Sequence, residues 1–256
     1  MKKLIYIVSD IDKALAFEWT ADQLKSLFAL DFILIGKNNT VLEEYLQTQG
    51  INHYIITDKE YPGHIRKWFK IIELIGKIKP DIVHTHLWRA TLLGITASWL
   101  LSVNKRIFTR HHATLHYDQH PSGRKWDQLC NRLATDIVAV SENIKLILVE
   151  RDKADPGKIQ VIHHGFNLKE FIDVKDERVD SIRARYNISG QFPVIGIISR
   201  YTYWKGIQYS IEAFRQLKQQ YPQALLVLAN ARGEYKEEIT KSLGALAKED
   251  YREIEF

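Results

Sequence analysis

The chain reads as a doubly wound α/β protein with two Rossmann-like parallel-sheet domains, the second incomplete, and three observations predict this. Short β-rich runs alternate with longer amphipathic stretches from end to end, as βα units building parallel sheets require. The alternation breaks once, over the charged stretch FIDVKDERVDSIRARYNISGQ, and then restarts at FPVIGII. After the restart only three strand-like runs remain, where a doubly wound domain ordinarily carries about five or six. The expected division is an N-terminal domain over 1–172, a linker region over 173–191 and a partial C-terminal domain over 192–256.

The elements follow in order. The opening run LIYIV, residues 4–8, is apolar but stops at Ser9 and Asp10, too short for a secretory signal core, so it reads as a buried strand. Further strands are expected over 32–35, 53–56, 81–84, 106–110, 137–140 and 159–162. Helices fill the gaps. One is expected over 18–30, with Leu24, Leu27 and Phe28 on a single face. Another runs from Gly63 to Lys79, with Ile65, Trp68, Ile72 and Ile75 inward. After the break the expectation is strand 194–198, helix 207–221, strand 225–229, helix 234–248 and a last strand over 252–256.

Composition narrows the class. At 256 residues, 45% hydrophobic and 26% charged, the chain can bury a sizeable core. The longest largely apolar stretch, 92–103, is interrupted by Thr96 and Ser98 and falls well short of the roughly 20 residues of a membrane span. A single cysteine, Cys130, cannot form an internal disulfide, which suits a reducing, cytoplasmic setting. It reads as a small apolar residue on a helix. The net charge of +5 argues for anionic small partners such as phosphates or lipid head groups and against nucleic acid, for which clustered Arg and Lys would be expected.

Open parallel sheets take ligands outside the carboxyl ends of their strands. Those ends carry Ser9 and Asp10, His84 and His86, His111 and His112, Ser141 and Glu142, and His163 and His164. In the second domain they carry Ser199 and Arg200, then Asn230 and Arg232. Two polar edges suggest a site between domains. The most informative segment is IISRYTYWKGIQYSIEAF, where a strand delivers Arg200 to the sheet edge and Lys205 stands just before Gly206 and a helix. Two cations at a helix N-terminus suit a diphosphate, and Gly206 lets the backbone come close to the anion.

At this segment the sequence resembles the family-four glycosyltransferases of GT-B fold, and the resemblance covers most of the chain. SRYTYWKGIQYSIEAF is similar to that family's Arg, loop, Lys-Gly, helix signature. DIVHTHLWRATLLG and IFTRHHA resemble its acceptor-domain segments, AVSENIK and KIQVIHHGFNLKEF its approach to the interdomain linker, and LLVLANARGEYKEEI the next strand and helix of its donor domain. The resemblance implies a retaining, metal-independent enzyme that moves a sugar from a nucleotide-diphosphate sugar to a glycan or lipid-linked acceptor, as in cell-surface polysaccharide biosynthesis. It requires no cofactor beyond the nucleotide-sugar donor itself. It assigns the donor diphosphate to Arg200 and Lys205, with Gly206, and the sugar-transfer site to His111. Asp10, His86, His112, Ser141 and Glu142 fall on the acceptor side.

Three positions depart from the pattern. The loop after the first strand, SDIDKALAFEW, has no glycine; His164 stands where Asn is usual; Asn230 stands where Gly is frequent. The family's Glu-x7-Glu motif is expected beyond the present C-terminus. Glu142 and Glu150 have that spacing, but they lie in the other domain, and 16 glutamates supply such a pair by chance. The 256 residues alone are therefore expected to be inactive, a fragment or binding module of such an enzyme.

Two further readings compete. His84 and His86 form HxH, and His112, His116 and His120 recur every four residues, both metal-ligand spacings, so a metallohydrolase is an alternative, although Trp88 stands where an HxHxDH site needs Asp. The stretch from Gly63 to Lys79 carries Arg66, Lys67, Lys70, Lys77 and Lys79 with Trp68 and Phe69 interleaved, which suits peripheral contact with an anionic inner membrane face.

Overall fold

The computed structural model describes residues 1–118 and 121–255, so His120 of the expected histidine cluster lies outside the described residues. The chain divides into two compact units, Met1–Asn167 and Leu168–Phe256. The stretch 173–191, read as a linker, contains a ten-residue helix and belongs with the second unit.

In the first unit seven parallel strands form one sheet, β1 (Lys3–Ser9), β2 (Ala29–Gly36), β3 (Asn52–Thr57), β4 (Ile82–His86), β5 (Lys105–Arg110), β6 (Asp136–Ala139) and β7 (Ile159–Val161). Their order is β3-β2-β1-β4-β5-β6-β7. The helices between them are α1 (Leu15–Leu24), α2 (Val41–Thr48), α3 (Gly63–Ile78), α4 (Trp88–Leu100), α5 (Leu115–Asp118), α6 (Gly123–Leu133) and α7 (Glu142–Glu150). β1 shows why the sheet is covered on both faces. Leu4, Tyr6 and Val8 join one buried cluster with Phe17 and Phe32, while Ile5 and Ile7 join another with Ile71, Leu74 and Leu93. Alternation of period two sends successive apolar side chains to opposite faces, and burying each large one contributes about 1.5–3 kcal/mol.

Two expected helices differ from what the structure contains. The first ends at Leu24 rather than residue 30, because Ala29 already pairs with Lys3 as the start of β2. Leu27, expected inside, is exposed. On α3 the buried stripe is Lys67, Ile71, Leu74 and Ile75, whereas Ile65, expected inward, is 72% exposed. Lys67 leaves the expected basic face altogether. It is 1% exposed, and its ammonium donates to Asp58 Oδ1 (2.6 Å), the Tyr61 carbonyl (2.7 Å) and the Gly63 carbonyl (3.3 Å). Those three acceptors satisfy a charge that burial would otherwise expel. Trp68 packs against the core, and its indole N–H donates to Thr96 (2.9 Å).

The second unit holds α8 (Lys169–Ile172), α9 (Asp176–Arg185), β8 (Val194–Ile198), α10 (Ile207–Gln220), β9 (Leu225–Ala229), α11 (Lys236–Leu243) and β10 (Tyr251–Ile254). Its three strands are parallel in the order β10-β9-β8. All five residues of the central β9 are buried. Ile207, Ile211 and Phe214 of α10 and Ile239 and Leu243 of α11 cover one face, and Tyr186 and Ile188 pack on the other. α11 is shorter than the expected 234–248, stopping before Gly244, and the last strand begins at Tyr251 rather than 252. No helix among the described residues is long and apolar enough to cross a membrane.

Candidate active site

Strand order in the first unit reverses between β1 and β4, and the crevice outside such a reversal is where doubly wound sheets receive ligands. Asp10 follows β1 in the left-handed region (φ 58°), its amide donating to the Ile35 carbonyl (2.9 Å). Its carboxylate accepts a bidentate contact from Arg89 in the first turn of α4. Arg89 also donates to Asp58 (3.4 Å), and Asp58 accepts from buried Lys67, which holds its carboxyl below the usual range with help from Arg89. Four side chains of alternating charge thus tie the ends of β1 and β3 to the starts of α3 and α4. Leu87, between β4 and α4, has φ 69° and ψ 157°, a region that costs a side-chain-bearing residue about 1–3 kcal/mol. The loop after β1, which has no glycine, thus carries a charged residue bound to an arginine of the same unit.

Beside that network stands a column of histidines. β4 extends to His86, so His84 and His86 lie two apart on one face of the sheet, the first half-buried and the second buried, rather than in the loop beyond the strand. His84 Nε2 meets Thr109 Oγ1 (2.9 Å), and its ring lies 4.3 Å from that of His86. Tyr6 stacks on His86 at 4.6 Å, with Phe17 edge-on at 5.1 Å. His86 Nδ1 is 3.1 Å from His111 Nε2, and exposed His164 stacks on His111 at 5.4 Å. Burial disfavours the charged imidazole. It brings His84 down to about 3 and His111 to about 4, each assisted by a neighbouring histidine, and holds His86 well below the ordinary range. Three of these rings are therefore neutral near pH 7.

His112 turns away from that column. Its ring packs on His116 at 5.1 Å, and burial with the nearby Arg110 charge pushes it down to about 3. Beneath the loop, the Arg110 guanidinium reaches Asp127 (2.9 Å) and Asp152 (3.3 Å) and donates through Nε to the His112 carbonyl (3.0 Å). His116 Nδ1 meets Asp127 Oδ2 at 2.5 Å, and Tyr117 donates to Asp152 (2.6 Å). This buried network clamps the backbone from which His111 projects. Ser141 caps α7 by accepting from the Ile144 amide (3.3 Å), and Glu142 is exposed in the first turn. Burial pushes the Cys130 thiol up to about 12, so it carries no thiolate. Among the described residues no three His, Cys, Asp or Glu side chains are grouped to hold a metal ion.

In the second unit, Gly206 adopts φ 67° and caps the N-terminus of α10. Arg200 and Lys205 are both exposed, and no acceptor among the described residues engages either side chain. Nearby, Thr202 Oγ1, Gln208 Oε1 and Asn230 Oδ1 are buried without partners. Tyr201 locks the loop, its hydroxyl donating to Glu253 (2.8 Å) and its amide to the Arg232 carbonyl (2.8 Å). Gly233 lets the chain pass so close that a Cβ there would stand 2.3 Å from the Tyr201 carbonyl oxygen. Two unpaired cations, a left-handed glycine and the free amides of α10 are an arrangement whose chemistry suits an anion.

The structure thus brings His86 and His111 together and joins Asp10 to Arg89, while His112 packs on His116, Ser141 caps α7 and Glu142 stands exposed in its first turn. Sequence reasoning did not single out Arg89, Asp58 or Tyr6. Lys67 was placed on the wrong face, although its spacing of four, seven and eight from Ile71, Leu74 and Ile75 marks the buried stripe.

The sequence pattern of Glycosyltransferase Family 4 matches residues 28–170, more than half of the chain, and that of Glycosyl transferases group 1 matches residues 178–251. The chain is 24% identical over 236 residues to an uncharacterized glycosyltransferase, MJ1607, of Methanocaldococcus jannaschii, covering 86% of this chain and 59% of that protein. It is 26% identical over 198 residues to the capsular polysaccharide biosynthesis glycosyltransferase CapM of Staphylococcus aureus, covering 73% and 50% respectively. The chain thus spans little more than half the length of these relatives. Anabaena HepE, solved with UDP and glucose, superposes with a TM-score of 0.81 at 18% identity over 99% of this chain and 69% of HepE.

Proposed function

Because the chain belongs to Glycosyltransferase Family 4, we propose that it takes part in sugar transfer from a nucleotide-diphosphate sugar to a glycan or lipid-linked acceptor, with the diphosphate held by Arg200, Lys205 and the α10 N-terminus. The observation that carries this reading is the pair of unengaged cations just before the Gly206 cap at the N-terminus of α10. CapM, a capsular polysaccharide biosynthesis glycosyltransferase, and HepE, solved with UDP and glucose, support the donor class and a polysaccharide product.

In such a transfer the bond from the anomeric carbon to the diphosphate breaks, negative charge grows on the departing phosphate, and the sugar becomes oxocarbenium-like. Arg200 and Lys205, preorganised at the positive end of a helix, stabilise that charge more in the transition state than in the ground state, which is what lowers a barrier. This supports leaving-group stabilisation by side chains rather than by a metal; the retaining course, in which the acceptor attacks from the face the diphosphate leaves, rests on the family resemblance alone. His111, neutral at physiological pH, hydrogen-bonds the sugar or acceptor instead of carrying charge.

Titration calorimetry with UDP, GDP and ADP and their sugars tests the reading. The account expects at least one nucleoside diphosphate to bind with Kd below about 1 mM. No binding by any of them contradicts it.

A second reading concerns membrane contact. With Lys67 and Trp68 turned inward, α3 still presents Ile65 and Phe69, 72% and 60% exposed, beside Arg66, Lys70 and Lys77. Apolar side chains rimmed by cations favour an anionic lipid surface.

A further inference from the structure

The contact between His86 and His111 has a chemical consequence for the group assigned to the sugar site. One imidazole must donate and the other accept, since two neutral rings share a single N–H across the 3.1 Å gap between His86 Nδ1 and His111 Nε2. Each neutral ring carries one proton, so the direction of this bond fixes the remaining nitrogen on both. If His111 donated, His86 would bear its proton on Nε2, and that N–H would be buried with no acceptor, because His86 Nε2 has no partner. If His86 donates, Nε2 is a bare lone pair among the rings of Tyr6 and Phe17. Stranded N–H groups are rarer in protein interiors than under-used acceptors, so the second arrangement is favoured.

We propose that His86 is a positioning residue which, by donating from Nδ1 to His111 Nε2, holds His111 in the tautomer that carries its proton on the outward Nδ1, making His111 a hydrogen-bond donor and not a proton acceptor. Its partner is then an oxygen lone pair, as on a sugar hydroxyl, a ring oxygen or a phosphate. His111 Nδ1 has no partner among the described residues, which leaves that donor free. Every other side of the pair is fixed by the fold. Thr109 holds His84 against His86, Tyr6 and Phe17 wall in the His86 ring, and His164 lies flat on His111. The low proton affinity of the two rings agrees with this, since burial and the neighbouring histidines disfavour a charge on either and leave both neutral, with one proton each.

The proposal rests on His111 facing the sugar, but its test does not need substrate. Long-range 1H–15N correlation spectra of the histidine-labelled full chain at pH 7 read each ring's tautomer directly. The expected result is a pyrrole-like Nδ1 and a pyridine-like Nε2 on both His86 and His111, assigned by the loss of one set of peaks in His111→Gln. An Nε2–H tautomer or an imidazolium at His111 overturns the proposal. In His86→Asn the side-chain amide can still donate, and His111 keeps its tautomer; in His86→Leu the excess of Nδ1–H over Nε2–H falls about tenfold, the ratio one hydrogen bond of ordinary strength sustains. An unchanged ratio in a folded His86→Leu also overturns it, and the parent spectrum decides alone if that variant does not fold. Loss of nucleoside diphosphate binding would contradict the donor-site reading without touching these spectra.

Discussion

The strand ends of the two units treat charge in opposite ways. In Met1–Asn167 nearly every ionisable group at the crevice already has a partner inside the protein: Asp10 with Arg89, Asp58 with Lys67, Arg110 with Asp127 and Asp152, and three neutral histidines on one another. In Leu168–Phe256 the corresponding edge leaves Arg200 and Lys205 unengaged, beside buried oxygens with no partners. The first edge has its charges matched within the unit and its histidines neutral. The second keeps its cations free, as the proposed diphosphate site requires. A group that must grip a diphosphate has to keep its donors free, whereas one that must orient a neutral sugar benefits from rings whose protons are fixed by their neighbours.

That contrast should be sharpest under acid. All ten histidines lie in the first unit and none in the second. His84, His86, His111 and His112 have folded proton affinities depressed below the ordinary value near 6.5, so as pH falls through that value the unfolded chain takes protons the folded unit refuses. The unfolded state then binds more protons and stability falls with pH, each histidine contributing up to about 1.4 kcal/mol per pH unit until its folded value is reached. Five of the six tryptophans are in the first unit, so tryptophan fluorescence reports on it. Its melting temperature should drop by about 10 °C or more between pH 7 and pH 5. A pH-independent melt would break the comparison.

Smaller effects separate the units one at a time. Gly233→Ala drives a methyl into the Tyr201 carbonyl and should cost the second unit about 3 kcal/mol or more, measured by urea unfolding, with the tryptophan signal of the first unit unmoved. Lys67→Met leaves two carbonyls and Asp58 without their donor. It should destabilise the first unit by about 1–3 kcal/mol while nucleoside diphosphate affinity stays as in the parent. Ile65→Ser with Phe69→Ser should change neither stability nor nucleotide binding. If α3 meets lipid, flotation with vesicles rich in phosphatidylglycerol should fall several-fold; flotation equal to the parent's removes the membrane reading.

The architecture was legible because the chain repeats one pattern, an apolar run of about five followed by an amphipathic stretch, and strand ends carry polar residues wherever the pattern stops. Arg200, Lys205 and Gly206 were legible for the same reason, since a strand, two cations, a glycine and a helix follow one another locally in sequence. The histidine column was not. His84 and His86 share a face through the period of a strand, but Tyr6, the pair Thr109 and His111, and His164 reach them from three other segments, and HxH spacing alone equally suits a metal. The Asp10–Arg89–Asp58–Lys67 chain was hidden likewise, for its members are 79, 31 and 9 residues apart. Lys67 shows that a charged residue on an apolar stripe can be core when backbone carbonyls and a carboxylate converge on it.

The central claim is that the second unit's unengaged cations are the diphosphate receptor. It is tested most directly by titrating UDP, or whichever nucleoside diphosphate binds best, into the full chain and into Arg200→Ala with Lys205→Ala, with Arg215→Ala as a control that removes an α10 charge already paired with Glu212. The account predicts a loss of affinity of about a hundredfold or more in the double variant and less than about twofold in the control, since each charge-assisted hydrogen bond contributes about 1.5–3 kcal/mol. Equal affinity for the parent and the double variant would contradict it.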